Sequence, residues 1–286
     1  MGKQPPQDTL PVVNIAYRLK ETARRMPYKR AVVYPFGRDR HGRATYAHLT
    51  FEQLERDSDG LAAGLASIGI QRGTRTVLMV KPGIEFFVLI FAMFKCGAVP
   101  VVVDPGMGPR RMLECLESTR PEAFIGIPLA HLLRICFPRY FRSVLTTVTV
   151  GSKCFWGGAT FAGLCARPWQ PFKLAATTRD ETAAILFTTG STGPAKGVIY
   201  THGNFDAQID QIQSHFHIGE DEIGDPEKYK ELIAENTAKG MPTIALSAEI
   251  ESEISQLDNE ALAARVVPML IRYDDPNVAD ALIARL

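Results

Sequence analysis

Residues 188–197 read TTGSTGPAKG and directly follow an apolar run, AAILF, at residues 183–187. Glycine lets the backbone turn through conformations closed to other residues and brings its N–H groups close to an anion. The hydroxyl side chains add hydrogen-bond donors, and Lys196 adds a mobile positive charge suited to phosphate oxygens. A buried strand followed by such a loop predicts a binding site for a polyphosphate.

The loop differs from the ordinary P-loop. That pattern needs Gly immediately before Lys and Ser or Thr after it, whereas here Ala195 precedes Lys196 and Gly197 follows it. A simple kinase or GTPase is therefore disfavoured. A flexible turn without a ligand is disfavoured as well, because Pro194 and Lys196 inside a strand-flanked loop are not typical of linker composition.

Position for position, residues 185–196 resemble the phosphate-loop signature of the adenylate-forming superfamily, which includes acyl-CoA synthetases, luciferases and the adenylation domains of peptide synthetases. The resemblance implies that ATP, with Mg²⁺, converts a carboxylic acid to an acyl-adenylate and releases pyrophosphate. The acyl group then passes to a thiol or another nucleophile. The residues implied in binding ATP are Thr188, Thr189, Gly190, Ser191, Thr192, Gly193, Lys196 and His202.

Two side chains near the loop have open roles. Gly197, Val198, Thr201 and His202 continue the signature as that family usually does, and His202 would line the mouth of the site. A lone histidine after a strand is equally compatible with an ordinary hydrogen-bonded residue. Asp104 follows a predicted strand at 99–103, where α/β sheets place ligands, although Asp104 and Pro105 also make a plain turn.

Beyond the signature, the resemblance covers residues 12–224. It is greatest for the long-chain acyl-CoA ligase branch that includes the β-lactone synthetase of bacterial long-chain olefin synthesis. The stretches that carry it are GRATYAHLTFEQLE, VPVVVDPGMG and PEAFIGIP, beginning at residues 42, 99 and 121. They imply a long-chain fatty acid, with or without a 3-hydroxyl group, that becomes an acyl-CoA or a β-lactone. CoA and partner enzymes of a lipid pathway are implied in the same way.

Composition favours small-molecule partners. The 286 residues include 32 basic and 31 acidic side chains, so the net charge of +1 gives no bulk attraction to nucleic acid. The most apolar run, residues 84–94, is well short of the roughly 18 residues that span a bilayer.

The cellular compartment is predicted from the cysteines and the first residues. Five cysteines lie 19, 21, 18 and 11 residues apart, a spacing that matches neither a zinc site nor a compact disulfide framework. Scattered thiols of this kind are typical of a cytosolic protein. The first ten residues, MGKQPPQDTL, lack the apolar core of a secretory signal. We therefore expect a cytoplasmic enzyme.

Strands and helices alternate through the first two thirds of the chain, which predicts βαβ units and a parallel sheet. Thr50 and Gln53 have the spacing of a capping box at the start of one helix. The predicted helices are 14–26, 50–68, 84–96 and 111–118, and the predicted strands are 31–35, 45–50, 76–80, 99–103, 123–127, 145–150 and 183–188.

Two segments between these elements are harder to interpret. Residues 134–142 are basic and aromatic, which is compatible with a nucleic-acid or membrane-surface patch. A helix that packs its aromatic rings inward and extends its arginines to solvent is favoured. Residues 151–172 are predicted to form a loop.

After residue 224 the chain departs from the family pattern. It has no Tyr-Gly-x-Thr-Glu motif for adenine and the acyl carboxylate, and no lysine follows Lys239, so no catalytic residue is assigned. The predicted domains are residues 1–224, an incomplete adenylate-forming domain, and residues 225–286, a small and mainly helical tail. Glu249, Glu251 and Glu253 are interpreted as exposed helical carboxylates rather than a metal site.

The simplest hypothesis joins the first portion of an adenylating enzyme to an unrelated or rearranged tail. Two functions then remain open. The chain is either an ATP-dependent acid-activating ligase, or an inactive fragment or chimera that at most binds nucleotide phosphate or serves as a folding or interaction module.

Overall fold

A computed structural model describes residues 12–38, 40, 44–104, 107–152, 155–187 and 197–215, and the fold is that of these residues. They form a seven-stranded sheet with helices on both faces and a separate two-stranded antiparallel sheet. The predicted α/β class is confirmed. The predicted helical tail and the predicted domain boundary at residue 224 lie outside the described residues.

The helices and strands follow one another in the order expected of βαβ units. In chain order they are α1 (Ala16–Arg25), β1 (Arg30–Arg38), β2 (Ala44–Thr50), α2 (Phe51–Ser67), β3 (Arg75–Met79), α3 (Ile84–Cys96), β4 (Val99–Val103), α4 (Pro109–Ser118), β5 (Ala123–Gly126), α5 (Pro128–Cys136), a 3₁₀ helix (Pro138–Phe141), β6 (Thr146–Thr149), β7 (Ala159–Thr160), α6 (Phe161–Cys165), β8 (Thr182–Phe187), β9 (Gly197–Thr201) and α7 (His202–His215).

The large sheet has the strand order β7-β6-β5-β3-β4-β8-β9. Neighbouring strands are parallel except for β9, which runs antiparallel to β8. From β3 the chain moves to β4 on one side, then crosses back over β3 to form β5 on the other. Crossover connections of constant handedness place α3 and α4 on opposite faces of the sheet. The direction of winding therefore reverses between β3 and β4.

Alternate residues of the central strands build the two cores. Val77 of β3 and Phe124 of β5 point to the face covered by α4 and α5. Leu78 and Ile125, their neighbours in sequence, point to the face covered by α2 and α3. Because successive side chains of a strand point to opposite faces, strands buried on both sides are continuously apolar.

Local signals set the helix ends. The Thr50 hydroxyl accepts from the Gln53 N–H at 3.2 Å, and the Gln53 side chain accepts from the Thr50 N–H at 2.8 Å, so the predicted capping box is confirmed. Helix α3 has the predicted bounds. It ends at Gly97, whose φ of 74° is the left-handed conformation that glycine adopts without strain.

The prediction of one helix over residues 134–142 is wrong. Helix α5 ends at Cys136, and a 3₁₀ helix begins at Pro138. Proline has no N–H to continue the helical ladder, and it disfavours the helical conformation of the residue before it. The inward aromatic rings are confirmed, because Tyr140 and Phe141 are buried.

The prediction of an unbroken loop over residues 151–172 is also wrong. It contains the two-residue strand β7 and the short helix α6. Thr160 caps α6 by accepting from the Gly163 N–H at 3.0 Å, and Leu164 packs on Gly64 of α2. Elements this short have too few residues to show a periodic pattern.

Within the residues described, no helix has the length and apolarity needed to cross a membrane.

Candidate functional site

The predicted phosphate loop leaves the sheet at its carboxyl edge. Strands β3, β4 and β8 end there at Met79, Val103 and Phe187, and the loop begins at the next residue after Phe187. In open α/β sheets, ligands bind outside the carboxyl ends of the strands, at the point where the winding reverses. That point lies between β3 and β4, and β8 is the next strand in the sheet.

The two ends of the loop are held together by backbone pairing. Gly197, the first residue of β9, lies opposite Phe187, the last residue of β8. A Cβ at Gly197 would come within 2.8 Å of the Phe187 ring, so packing at the base of the loop requires glycine. The Asp104 N–H donates to the Phe187 carbonyl at 3.0 Å, which fixes the end of β4 beside this base.

The side chains implied in phosphate binding lie outside the described residues. They are Thr188, Thr189, Gly190, Ser191, Thr192, Gly193 and Lys196. Their assignment to the ATP phosphates stays a prediction. The structure adds the position of the two strands that flank them, because Phe187 of β8 and Gly197 of β9 pair at the carboxyl edge of the sheet.

The structure places His202 away from that edge. Thr201, the residue before it, pairs with Thr182 at the start of β8. The His202 N–H donates to the Glu181 carbonyl at 3.0 Å. Since β8 spans five residue steps, His202 lies about 16 Å along the strand from the base of the loop.

The surroundings of His202 are those of a packing residue. Its side chain is 1% exposed, its Nδ1 accepts from the Ile15 N–H at 3.2 Å, and its ring contacts Phe94 edge-on. Burial lowers the pKa of His202, and the Glu181 carboxylate opposes this shift. We therefore leave His202 out of the phosphate site that we propose, and assign it to the packing of α1 against α3 and α7.

An apolar cavity of about 280 Å³ lies at the reversal point of the sheet. It is bordered by the ends of β3, β4 and β8, with Phe86 of α3 on one side and Met112 of α4 on the other. Among the described residues that line it, Asp104 is the one acidic residue. Sequence reasoning predicted Asp104 at a strand end but missed the cavity, because the cavity depends on the strand order, which no local motif encodes.

The residue types of the predicted loop suit the phosphates of a nucleoside triphosphate. Hydroxyl groups, flexible backbone N–H groups and one ammonium group are the donors that phosphate oxygens accept from, and the hairpin gathers them in one loop. The described residues contain no group of three or more potential metal ligands. Mg²⁺ usually binds through substrate phosphates, water and one or two carboxylates, so Asp104 is the candidate ligand on this edge.

The chain is similar to two olefin β-lactone synthetases over most of its length. It is 50% identical over 207 residues to an olefin β-lactone synthetase of Stenotrophomonas maltophilia, and 47% identical over 205 residues to one of Xanthomonas campestris. Each match covers 71% of this chain and 37% of the relative, so the chain spans little more than a third of their length.

Solved structures agree on the fold. A long-chain fatty-acid CoA ligase from Archaeoglobus fulgidus superposes with a TM-score of 0.62 at 18% identity, over 76% of this chain and 42% of that one. The profile of the AMP-binding enzymes matches residues 19–226, well over half of the chain. The chain therefore belongs to the AMP-binding enzyme family.

Proposed function

We propose that this protein takes part in the ATP-dependent activation of a long-chain carboxylic acid through an acyl-adenylate. The observation that carries the proposal is the phosphate-loop sequence, mounted on the β8–β9 hairpin at the carboxyl edge of the sheet beside an apolar cavity. Family membership supports the reaction class, and the name shared by two relatives supports an olefin β-lactone synthetase.

In this reaction the acid's carboxylate attacks the α-phosphorus of ATP. The bond from that phosphorus to its bridging oxygen breaks, and pyrophosphate leaves with the electron pair. Donors of residues 188–196 would stabilise the negative charge that grows on the departing pyrophosphate. Lys196 would contribute most, because it carries a full positive charge. Mg²⁺, when bound, supplies further charge neutralisation on the phosphate oxygens.

The acyl-adenylate then has two possible fates. The thiol of CoA attacks the acyl carbon and releases AMP, which gives an acyl-CoA. Alternatively, the 3-hydroxyl oxygen of the same acid attacks that carbon, loses its proton and releases AMP, which gives a β-lactone. The names of the two relatives favour the β-lactone.

The apolar cavity supports an acid with an alkyl chain. Its lining includes Met79, Val101, Val103 and Leu116, and each methylene group buried there would contribute about 0.8 kcal/mol to binding. The position of the cavity beside the base of the loop suits a substrate whose carboxylate must reach the ATP. The scattered free thiols remain compatible with our expectation of a cytoplasmic protein.

A second candidate function is nucleotide-phosphate binding without adenylation. It is favoured by one specific observation, the departure of the sequence from the family's adenine and carboxylate motif after residue 224. On this hypothesis the loop holds phosphates, but no acyl-adenylate forms.

Exchange of labelled pyrophosphate into ATP separates the two candidates. We expect exchange that depends on a long-chain fatty acid or its 3-hydroxy derivative, and we expect Lys196→Ala to abolish it. Lys173→Ala, which changes an exposed lysine before β8, is the matched control and should leave exchange unchanged. Analysis of the acyl product with and without CoA then distinguishes an acyl-CoA from a β-lactone.

The outcomes have distinct meanings. Binding of Mg-ATP or pyrophosphate by calorimetry, without exchange for any acid, would support the second candidate. If neither binding nor exchange is observed, both candidate functions are wrong. If Lys196→Ala retains full exchange, the role that we propose for Lys196 is wrong.

The role of the cavity is tested by Val103→Phe, which fills part of it. We expect the KM for a long-chain acid to rise about tenfold or more while the rate with acetate is retained, because only the alkyl chain loses its space. Equal effects on both acids would show that the cavity does not hold the chain.

A further inference from the structure

A second cavity, of about 520 Å³, lies at the amino edge of the large sheet. Its lining includes Arg134 of α5, Thr146 and Thr147 at the start of β6, Ile68 after α2, and Trp156. Thr146 pairs with Ala123, the first residue of β5, so this is the edge opposite to the phosphate loop. The volume lies within the range of roughly 300–1,000 Å³ that is typical of small-molecule sites.

Arg134 is partly buried, yet its side chain has no polar partner in the described part of the chain. No ion pair or hydrogen bond of its guanidinium is found there, and its Nε is buried with its hydrogen unused. The nearest ring, that of Phe124, is 5.9 Å from the guanidinium carbon. Burial lowers the pKa of Arg134.

Such an arrangement is costly unless a ligand completes it. A guanidinium carries five N–H donors in a planar fork that matches the oxygens of carboxylate and phosphate. Buried donors without a protein acceptor are rare in native proteins, and a bound ion or water can satisfy them. The Arg134 Nε–H, which is buried without an acceptor among the described residues in a side chain that lines the cavity, is therefore a donor available to an anion.

The wall beside Arg134 is rigid and aromatic. The Trp156 ring stacks on His131 with their centroids 5.0 Å apart and their planes 8° from parallel. The Trp156 Nε1–H donates to the Thr149 hydroxyl at 2.9 Å, and His131 Nε2 lies 3.1 Å from the Val148 carbonyl. These contacts fix the ring before any ligand arrives, which reduces the entropy lost on binding.

We propose that this cavity binds a small organic oxyanion. Its carboxylate or phosphate group accepts from the Arg134 guanidinium, and its flat apolar body lies against Trp156. The Thr147 hydroxyl, on the cavity lining, offers a further donor. Because the site is at the edge of the sheet opposite to Phe187, where β8 ends, the proposal does not depend on the proposed adenylation.

The fluorescence of Trp156, which lines the cavity, can report the binding of a ligand there. The chain has two tryptophans, Trp156 and Trp169, so Trp169→Phe in the full-length chain leaves Trp156 as the single emitter. We expect benzoate to change its fluorescence saturably at constant ionic strength. Benzamide has the same shape without the charge, and it should bind about tenfold more weakly or worse. Inorganic phosphate, titrated separately, tests whether the head group alone is bound.

Substitutions in the Trp169→Phe background connect the signal to Arg134. Arg134→Gln should weaken benzoate binding about tenfold or more. Arg134→Lys keeps the charge but loses the planar set of guanidinium donors, so its affinity for benzoate should lie between those of the parent and Arg134→Gln. Arg110→Gln is the matched control, because Arg110 is 89% exposed on α4, and it should bind like the parent. Circular dichroism checks that each variant is folded.

Three results would overturn the proposal. These are equal affinity for benzoate and benzamide, unchanged benzoate affinity in Arg134→Gln, or no saturable response to either benzoate or phosphate. Competition between phosphate and benzoate would support it, since both would then occupy the guanidinium.

Discussion

Lys95 and Arg134 are two sequestered cations on opposite faces of one sheet, and their surroundings differ. The Lys95 side chain is fully buried between α2 and α3, and its Nζ donates to Asp59 Oδ1 at 2.6 Å and to the Glu55 carbonyl at 2.8 Å. Glu55 Oε2 lies 2.8 Å from the same nitrogen without the alignment of a hydrogen bond. Arg134, on α5, has neither kind of partner in the described residues.

The difference separates a structural cation from one that is available to a ligand. Lys95 uses its donors within the fold and joins α3 to α2 across an otherwise apolar core. Arg134 lines a cavity and leaves its donors unused. A buried charge needs partners to be tolerated, so the fold supplies them in one case and, on our proposal, a ligand supplies them in the other.

Removing the charge of Lys95 should have the largest effect on the free energy of unfolding. Lys95→Met leaves the carboxylates of Asp59 and Glu55 without their cation, and Asp59 is only 5% exposed. We expect the free energy of unfolding to fall by about 3–5 kcal/mol in urea denaturation. Lys81→Met, at an exposed lysine after β3, is the control and should change it by less than about 0.5 kcal/mol. A loss below about 1 kcal/mol in Lys95→Met would contradict a structural role.

Acid should lower the free energy of unfolding through His131, which lies on α5 together with Arg134. Burial, chiefly, lowers the pKa of His131 to about 4, and the nearby Arg134 charge lowers it further. The folded state therefore binds fewer protons than the unfolded state between pH 6.5 and 4, so stability is lost as pH falls through that window. We expect a loss on the order of 2 kcal/mol from this group between pH 7 and 4.5.

The contribution of His131 is isolated by comparing pH profiles. His131→Gln keeps a hydrogen-bond donor for the Val148 carbonyl but does not titrate. Its free energy of unfolding should fall less steeply with acid than that of the parent. Acidic groups with lowered pKa, such as Asp206, affect both proteins alike. Parallel profiles would show that His131 is not held in its neutral form.

Removing the charge of Arg134 should change the free energy of unfolding by less than Lys95→Met does, and in the opposite direction. In Arg134→Met the apolar part of the side chain is retained, while the cost of a partly buried charge without a protein partner among the described residues disappears. We expect the free energy of unfolding to stay constant or rise by up to about 1 kcal/mol in urea without added anions. A loss of more than about 1 kcal/mol would reveal a partner that stabilises Arg134.

The sequence predicted the regular parts of the fold well, because local signals determine them. The capping box at Thr50, the glycine end at Gly97 and the apolar run at 99–103 each depend on neighbouring residues. The site was predicted only as a loop. The cavity at the strand ends and the environment of Arg134 arise from strand order and from contacts distant in sequence. His202 fitted the family pattern, but its place at the far end of β8 follows from antiparallel pairing.

An exposed ion pair gives the smallest effect and completes the comparison with Lys95. Arg72 donates to Glu181 at 2.8 Å near the surface, and this contact lowers the pKa of Glu181. In a double-mutant cycle of Arg72→Ala and Glu181→Ala, we expect a coupling of about 0.2–1 kcal/mol. It should shrink in 1 M NaCl, where the screening length falls to about 3 Å. The loss of stability in Lys95→Met should not shrink in 1 M NaCl, because water and salt do not reach the buried Lys95 and Asp59 side chains. Equal salt sensitivity of the two would mean that Lys95 is solvated, and the contrast between the paired Lys95 and the partly buried Arg134 would then fail.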